Sequence, residues 1–198
     1  MPRTERVNQA IREERKAAIL AAAARVFAQQ GYIATRVSDI ADTAQISHGL
    51  LYHYFSGKDE VFSALVERAA AGVIHLLQAA NELPVPPAQR LRWLMEQEAA
   101  GLSEDPHIFM VVLQAMMSDA VPAKARSVAK ALVATTPDLL RQMVAEGQRA
   151  GQVVEGDPEE IGLLIGILLQ GIAVGAAIAP EALPRAESLT QLFLLARD

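Results

Sequence analysis

Only two residues, Gln45 and Ile46, stand between an apolar stripe that ends at Ala44 and a serine, Ser47, placed to cap a second helix. Before the joint, Val37, Ile40, Ala41 and Ala44 recur at helical spacing. After it, Leu51 and Phe55 fall at i and i+4 and point the same way. Two short helices joined by so tight a turn make a helix-turn-helix, with the inner edge of the second helix held in the cleft of its neighbours.

The remainder reads as helix almost throughout. Ala17 to Gln30 is alanine-rich, with Ile19, Ala23, Val26 and Phe27 at helical spacing and Gly31 as its stop. Thr35 is available to cap the helix from Val37, and Ser47 the helix that runs to about Phe55. Ser56 to Asp59 matches a capping box opening a helix with Val61, Phe62, Leu65 and Val66, broken where Leu83 to Pro87 crowds three prolines together. Further helices are expected over 89–102, 107–118, 123–149 with a kink or restart at Thr136-Pro137, 158–179 and 184–196. No stretch alternates as a strand would. The fold class expected is all-α with about nine helices, a small amino-terminal three-helix unit over 13–73 (helix-turn-helix about 36–55) joined to a larger helical unit over 74–198.

Composition sets the outer limits. The 198 residues are 52% hydrophobic and 21% charged, enough for a real core, and contain no cysteine, which excludes disulfides and thiolate metal sites. The polar start, Met-Pro-Arg-Thr-Glu-Arg, has no secretory apolar stretch, so the expected location is the cytoplasm. Net charge is −5, but residues 1–58 hold eight Lys/Arg against five Asp/Glu and the rest ten against eighteen. A basic head on an acidic body fits a protein whose first part alone meets a polyanion.

The stretch "QISHGLLYHYFSGKDE", 45–60, carries too many polar groups for simple core. On a helix, Ser47, His48, Tyr52 and His53 occupy a sector away from Leu51 and Phe55, and such an outer edge can enter a major groove. Ser47, at a helix start, can meet a phosphate together with free backbone N–H groups. Gly49 lets backbone approach backbone. Tyr52 can lie against sugar or a thymine methyl, and His53 can donate to phosphate or a base edge. Lys58 can neutralise a phosphate, and Thr35 can reach one from the start of the preceding helix. Tyr54 remains open between core and surface. With four histidines, no HExxH and no i,i+4 histidine pair, no metal site is expected, and no cofactor.

The string "GYIATRVSDIADTAQISHGLLYHYFSGKDEVFSALV", Gly31 to Val66, resembles the DNA-binding domain of the TetR family of bacterial transcriptional regulators. The match lies in a glycine-aromatic pair, a threonine, "V-x-D-I-A", a turn ending in serine, and "G-x-L-Y-x-Y-F" followed by a lysine and an acid. The resemblance implies DNA contacts at Thr35, Ser47, His48, Gly49, Tyr52, His53, Tyr54 and Lys58. Two positions depart from the pattern. Gln45 stands where the turn usually has glycine, so a tight conformation must accommodate a Cβ at some cost. Arg36 stands where threonine or serine is common, and either adds a phosphate contact or points to water.

For the second unit the resemblance implies effector binding and dimerisation. The residues add one clue of their own: from Ile161 to Ala179 the only polar side chain is Gln170, and Gly162, Gly166, Gly171 and Gly175 all lie there. Each mid-helix glycine costs roughly 1 kcal/mol relative to alanine, so close helix approach must offset it. A four-helix seam shared by two chains, with Leu189 and Phe193 of the last helix alongside, covers such a segment. The rival is a membrane span, since the length suffices; no aromatic belt accompanies it. Trp93, Met110 and Met117 are candidates for a roomy apolar effector site, each at least as well suited to ordinary core, and His107, Gln114 and Gln170 are the polar groups that would orient a ligand if they face inward.

The function expected is a homodimeric repressor, released from a palindromic double-stranded DNA operator by a small-molecule effector with substantial apolar surface. The alternatives are a dimeric helical interaction protein without sequence-specific DNA binding, and an enzyme, for which no nucleophile–base or metal-ligand set is present.

Overall fold

The computed structural model describes residues 2–105, 107–178, 188 and 191–195. Among these the elements are α1 (Pro2–Ala34), α2 (Val37–Thr43), α3 (His48–Tyr54), α4 (Lys58–Glu82), α5 (Pro87–Glu104), α6 (His107–Met117), α7 (Ala123–Arg149) and α8 (Pro158–Ile178). The fold is all-α. The chain divides into two compact units, one of 1–68 with 110–129, the other of 69–109 with 130–198.

The first unit holds the helix-turn-helix. α1 begins well before Ala17, because residues 2–16 carry good helix formers, although 7–15 are exposed. Gly31 does interrupt it, with φ 77° and ψ 161°, and a short helical stretch follows to Ala34. Phe27, Phe62 and Tyr32 form an aromatic trio: Phe62 meets Phe27 edge-on at 5.0 Å and Tyr32 at 5.0 Å. Such pairs add to the burial of apolar area that holds α1 to the start of α4.

The expected capping box at Ser56 takes another form. Glu60, not Asp59, accepts from the Ser56 N–H at 2.6 Å, and hydrogen bonding from Ser56 holds its carboxyl below the usual carboxylate range. α4 therefore starts at Lys58, after Gly57. Thr35 is not the cap of α2. Arg36 is, and its N–H donates to Asp39 Oδ2 at 2.8 Å.

In the second unit, Leu77, Leu91, Leu94, Met95, Leu140, Met143 and Ile165 lie in one buried cluster contributed by α4, α5, α7 and α8. α7 runs unbroken through Pro137, where a kink or restart was expected. The hydroxyls of Thr135 and Thr136 donate back to the carbonyls of Ala131 (2.9 Å) and Leu132 (2.8 Å) in the turn that proline disturbs. The expected final helix lies mostly outside the described residues. Its end is not helical: Val154 N–H donates to Phe193 O and Leu195 N–H to Gln152 O, both 3.0 Å, around an antiparallel bridge of Val153 with Leu194.

Candidate nucleic-acid interface

Burial fixes the rotation of α3. Leu51 is 0% exposed, and Phe55, Ile40 and Ala41 are buried with it. At about 100° per residue, that places His48, Gly49, Tyr52 and His53 in one continuous outer sector. All four are exposed, Tyr52 to 55%. A Cβ built on Gly49 meets nothing within 4 Å, so nothing inside the chain requires a glycine there. Tyr54 is half-buried at the edge of the sector, its ring edge-on to His53 at 5.2 Å. Ser47 caps α3: its Oγ accepts from the Leu50 N–H at 3.2 Å, with its own O–H still able to donate outward. The turn before it is closed by Gln45 with φ 55°, a left-handed conformation held by a residue that carries a Cβ.

Thr35 and Lys58 do not present themselves as expected. Thr35 is 1% exposed and its hydroxyl donates to Gly31 O at 2.7 Å, so that side chain has no reach to a phosphate. The Lys58 ammonium donates to the carbonyls of Tyr32 (3.0 Å), Ile33 (3.2 Å) and Thr35 (2.9 Å). An ammonium has three N–H groups, and these bonds use all three. It also sits 4.6 Å from the Tyr32 ring centroid. Lys58 thus closes the carboxy-terminal end of α1, where carbonyls lack helical partners and a cation is favoured. Arg36 is exposed at the start of α2.

Two residues take roles here that the sequence did not foretell. The Tyr32 phenol donates to Asp59 Oδ1 at 2.6 Å; burial first, then that bond and the carboxylate's charge, raise the phenol above its ordinary value. Gln114, expected among effector contacts, donates from Nε2 to Phe27 O at 2.9 Å and accepts from the Tyr32 N–H at 2.8 Å. Both ends of its amide are committed to the interruption in α1.

The other expected effector residues separate. Trp93 is half-buried against the core cluster of the second unit, and His107 and Met110 are half-buried on α6. Met117 is 80% exposed and Gln170 is exposed on α8, so neither faces an interior site. The expected seam glycines also separate. A Cβ on Gly162 would lie 3.0 Å from Arg141 N, and one on Gly166 3.5 Å from Leu140 Cδ1. These two serve the approach of α8 to α7 inside one chain. Gly171 is exposed with nothing within 4 Å of its Cβ position, and Gly175 is half-buried. Phe193 packs on the chain's own core, and Leu189 lies outside the described residues.

Residues 19–65, spanning the helix-turn-helix, match the family model of bacterial regulatory proteins, tetR family. The HTH-type transcriptional activator FasR of Mycolicibacterium smegmatis is 28% identical over 154 residues, 76% of this chain and 70% of that protein. The HTH-type transcriptional repressor Rv3405c of Mycobacterium tuberculosis is 38% identical over 68 residues, 34% of this chain and 36% of its own. Among solved structures, the TetR family transcriptional regulator PfmR from Thermus thermophilus superposes with a TM-score of 0.72 at 28% identity, covering 88% of this chain and 93% of that one. Residues 19–65 are thus a helix-turn-helix domain of the tetR type, the chain is similar over most of its length to TetR-family proteins, and it is a DNA-binding transcriptional regulator.

Proposed function

We propose that this regulator is a homodimeric repressor, in which residues 13–73 read a palindromic operator and residues 74–198 bind an effector and dimerise. The outer sector of α3 carries the DNA half of the reading: a polar and aromatic surface on a helix anchored by Leu51. Ser47, His48, Gly49, Tyr52 and His53 are its contact residues, with Arg36 and Tyr54 flanking. Two copies of α3 must then lie about 34–36 Å apart, one turn of DNA, for both half-sites to be read. Related proteins include both an activator and a repressor by name, and repression is the sense proposed here.

The dimer half rests on α8. Leu163, Leu164, Ile167, Val174 and Ile178 are exposed and form one stripe with Gln170 and Gly171. The opposite stripe, Ile161, Ile165, Ile172, Ala173 and Ala176, is already buried. α8 is long and apolar enough to cross a membrane, but a helix with one face packed in its own chain and the other apolar fits a second copy better. The effector carries substantial apolar surface, with Trp93, His107 and Met110 retained as separate candidate contacts. The proposed place of action is the cytoplasm.

Selection of bound duplexes from random DNA should return a two-fold symmetric site, and screening small molecules against that complex should yield one that releases it. Recovery of no preferred sequence would sink the DNA half. Sedimentation should give a dimer that Gly171→Leu weakens, because a Cβ there meets nothing within its own chain and the bulk would stand in the exposed stripe. A wild-type monomer at micromolar concentration would refute the α8 seam.

A further inference from the structure

We propose that Gln114, on α6, is a positioning residue for DNA binding: its side-chain amide takes the Tyr32 N–H that the break in α1 turns away from its helical partner and ties it to the Phe27 carbonyl before the break. In an uninterrupted helix the Tyr32 N–H would donate to the Ala28 carbonyl. Gly31 at φ 77° ends that ladder. A primary amide offers one acceptor and two donors, and Gln114 spends them on the two sides of the break, at 2.8 Å to Tyr32 N–H and 2.9 Å to Phe27 O. A Cβ at Gly31 would lie 4.0 Å from Gln114 Oε1, so the amide sits directly beside the break.

The segment after the break gives this bridge its leverage. Tyr32 is the hub of the Lys58 clamp: its carbonyl and ring take the ammonium and its hydroxyl takes Asp59. Thr35 and Arg36 come next and lead into α2, which α3 packs against. The direction in which the chain leaves Gly31 therefore sets where α2 and α3 stand. Gln114 is 82 residues from Tyr32 in sequence, and its amide is spent on Tyr32 and Phe27 rather than on the outer residues of α3. It acts by fixing orientation, not by contact with DNA. Gln114, Phe27 and Tyr32 all lie in the first compact unit, so the bridge is internal to the unit that carries α3.

The inference rests on the DNA-reading role proposed for α3, and two readouts on the full-length protein keep them apart. Gln114→Met preserves length and bulk while removing both polar ends. It should speed hydrogen exchange of the Tyr32 amide at least about tenfold and weaken binding to the wild-type-selected duplex about tenfold, which is about 1.4 kcal/mol. The slope of binding against salt should not change, because no phosphate contact is removed. Gln114→Glu keeps the acceptor and should retain the Tyr32 protection, and it decides the matter should the methionine variant fail to fold. Unchanged Tyr32 exchange in Gln114→Met, or loss of that protection in Gln114→Glu, overturns the bridge. Faster exchange with undiminished DNA affinity overturns the positioning role. Should the wild type select no duplex, the α3 reading fails while the exchange data still judge the bridge.

Discussion

Replacing Gln45 with glycine isolates the strain stored in the turn between α2 and α3. Gln45 holds φ 55° and closes the turn with its N–H on Asp42 O at 3.1 Å, while its side chain is exposed. A residue with a Cβ is disfavoured by roughly 1–2 kcal/mol in that conformation. Glycine escapes this but loses about 0.5–1 kcal/mol more backbone entropy on folding. The difference predicts a net stabilisation of about 0.5–1 kcal/mol, confined to the unit that contains the turn. In native-state hydrogen exchange this should slow the buried amides of Ile40 and Leu51 about two- to five-fold. Gln45→Ala keeps the Cβ and should change nothing, and Gln45→Asn should fall between, since asparagine tolerates the left-handed region. If alanine stabilised as much as glycine, or glycine destabilised, the strain argument would be wrong.

Leu51→Ala should cost about 2–5 kcal/mol of stability in the first unit, whereas Tyr52→Ala should cost less than about 1 kcal/mol yet still lose the operator; equal melting of the two would overturn the rotation assigned to α3. Gly49→Ala fills open space on a helix, so stability should rise by about 0.5–1 kcal/mol while gel-shift affinity drops. Tighter DNA binding by that variant would contradict close backbone approach. Lys58→Met strands three carbonyls and should lower stability by roughly 1–3 kcal/mol, a loss that a purely DNA-facing lysine would not cause. Burial pushes the Glu98 carboxyl above its ordinary value, so the folded state binds that proton more tightly than the unfolded one. Stability from this group is therefore present below the ordinary carboxylate range and falls as pH rises through the raised value. Glu98→Gln should melt higher than wild type at neutral pH, with the gap closing in acid; an unchanged pH profile would rule this out.

What the sequence by itself determined is whatever acts across one or two helical turns. Spacing of Val37, Ile40 and Ala41, then Leu51 and Phe55, decided both the helix-turn-helix and which edge of α3 is buried, because apolar periodicity is a local property. The break at Gly31, the cap at Ser47 and the cost at Gln45 were legible for the same reason. Tertiary structure alone decided the fate of groups whose partners lie far along the chain. Lys58 and Thr35 looked like phosphate ligands until the end of α1 was seen to supply carbonyls for both. Gln114 looked like an effector contact because no local rule reveals a break in another helix 82 residues away. Gly162 and Gly171 were indistinguishable as glycines on an apolar helix; only the path of α7 put backbone within 3.0 Å of one Cβ position and nothing near the other. A hydrogen-bonding group takes whichever partner packing brings within about 3 Å, and packing is settled by apolar faces summed over the whole fold rather than by the neighbours of any one residue.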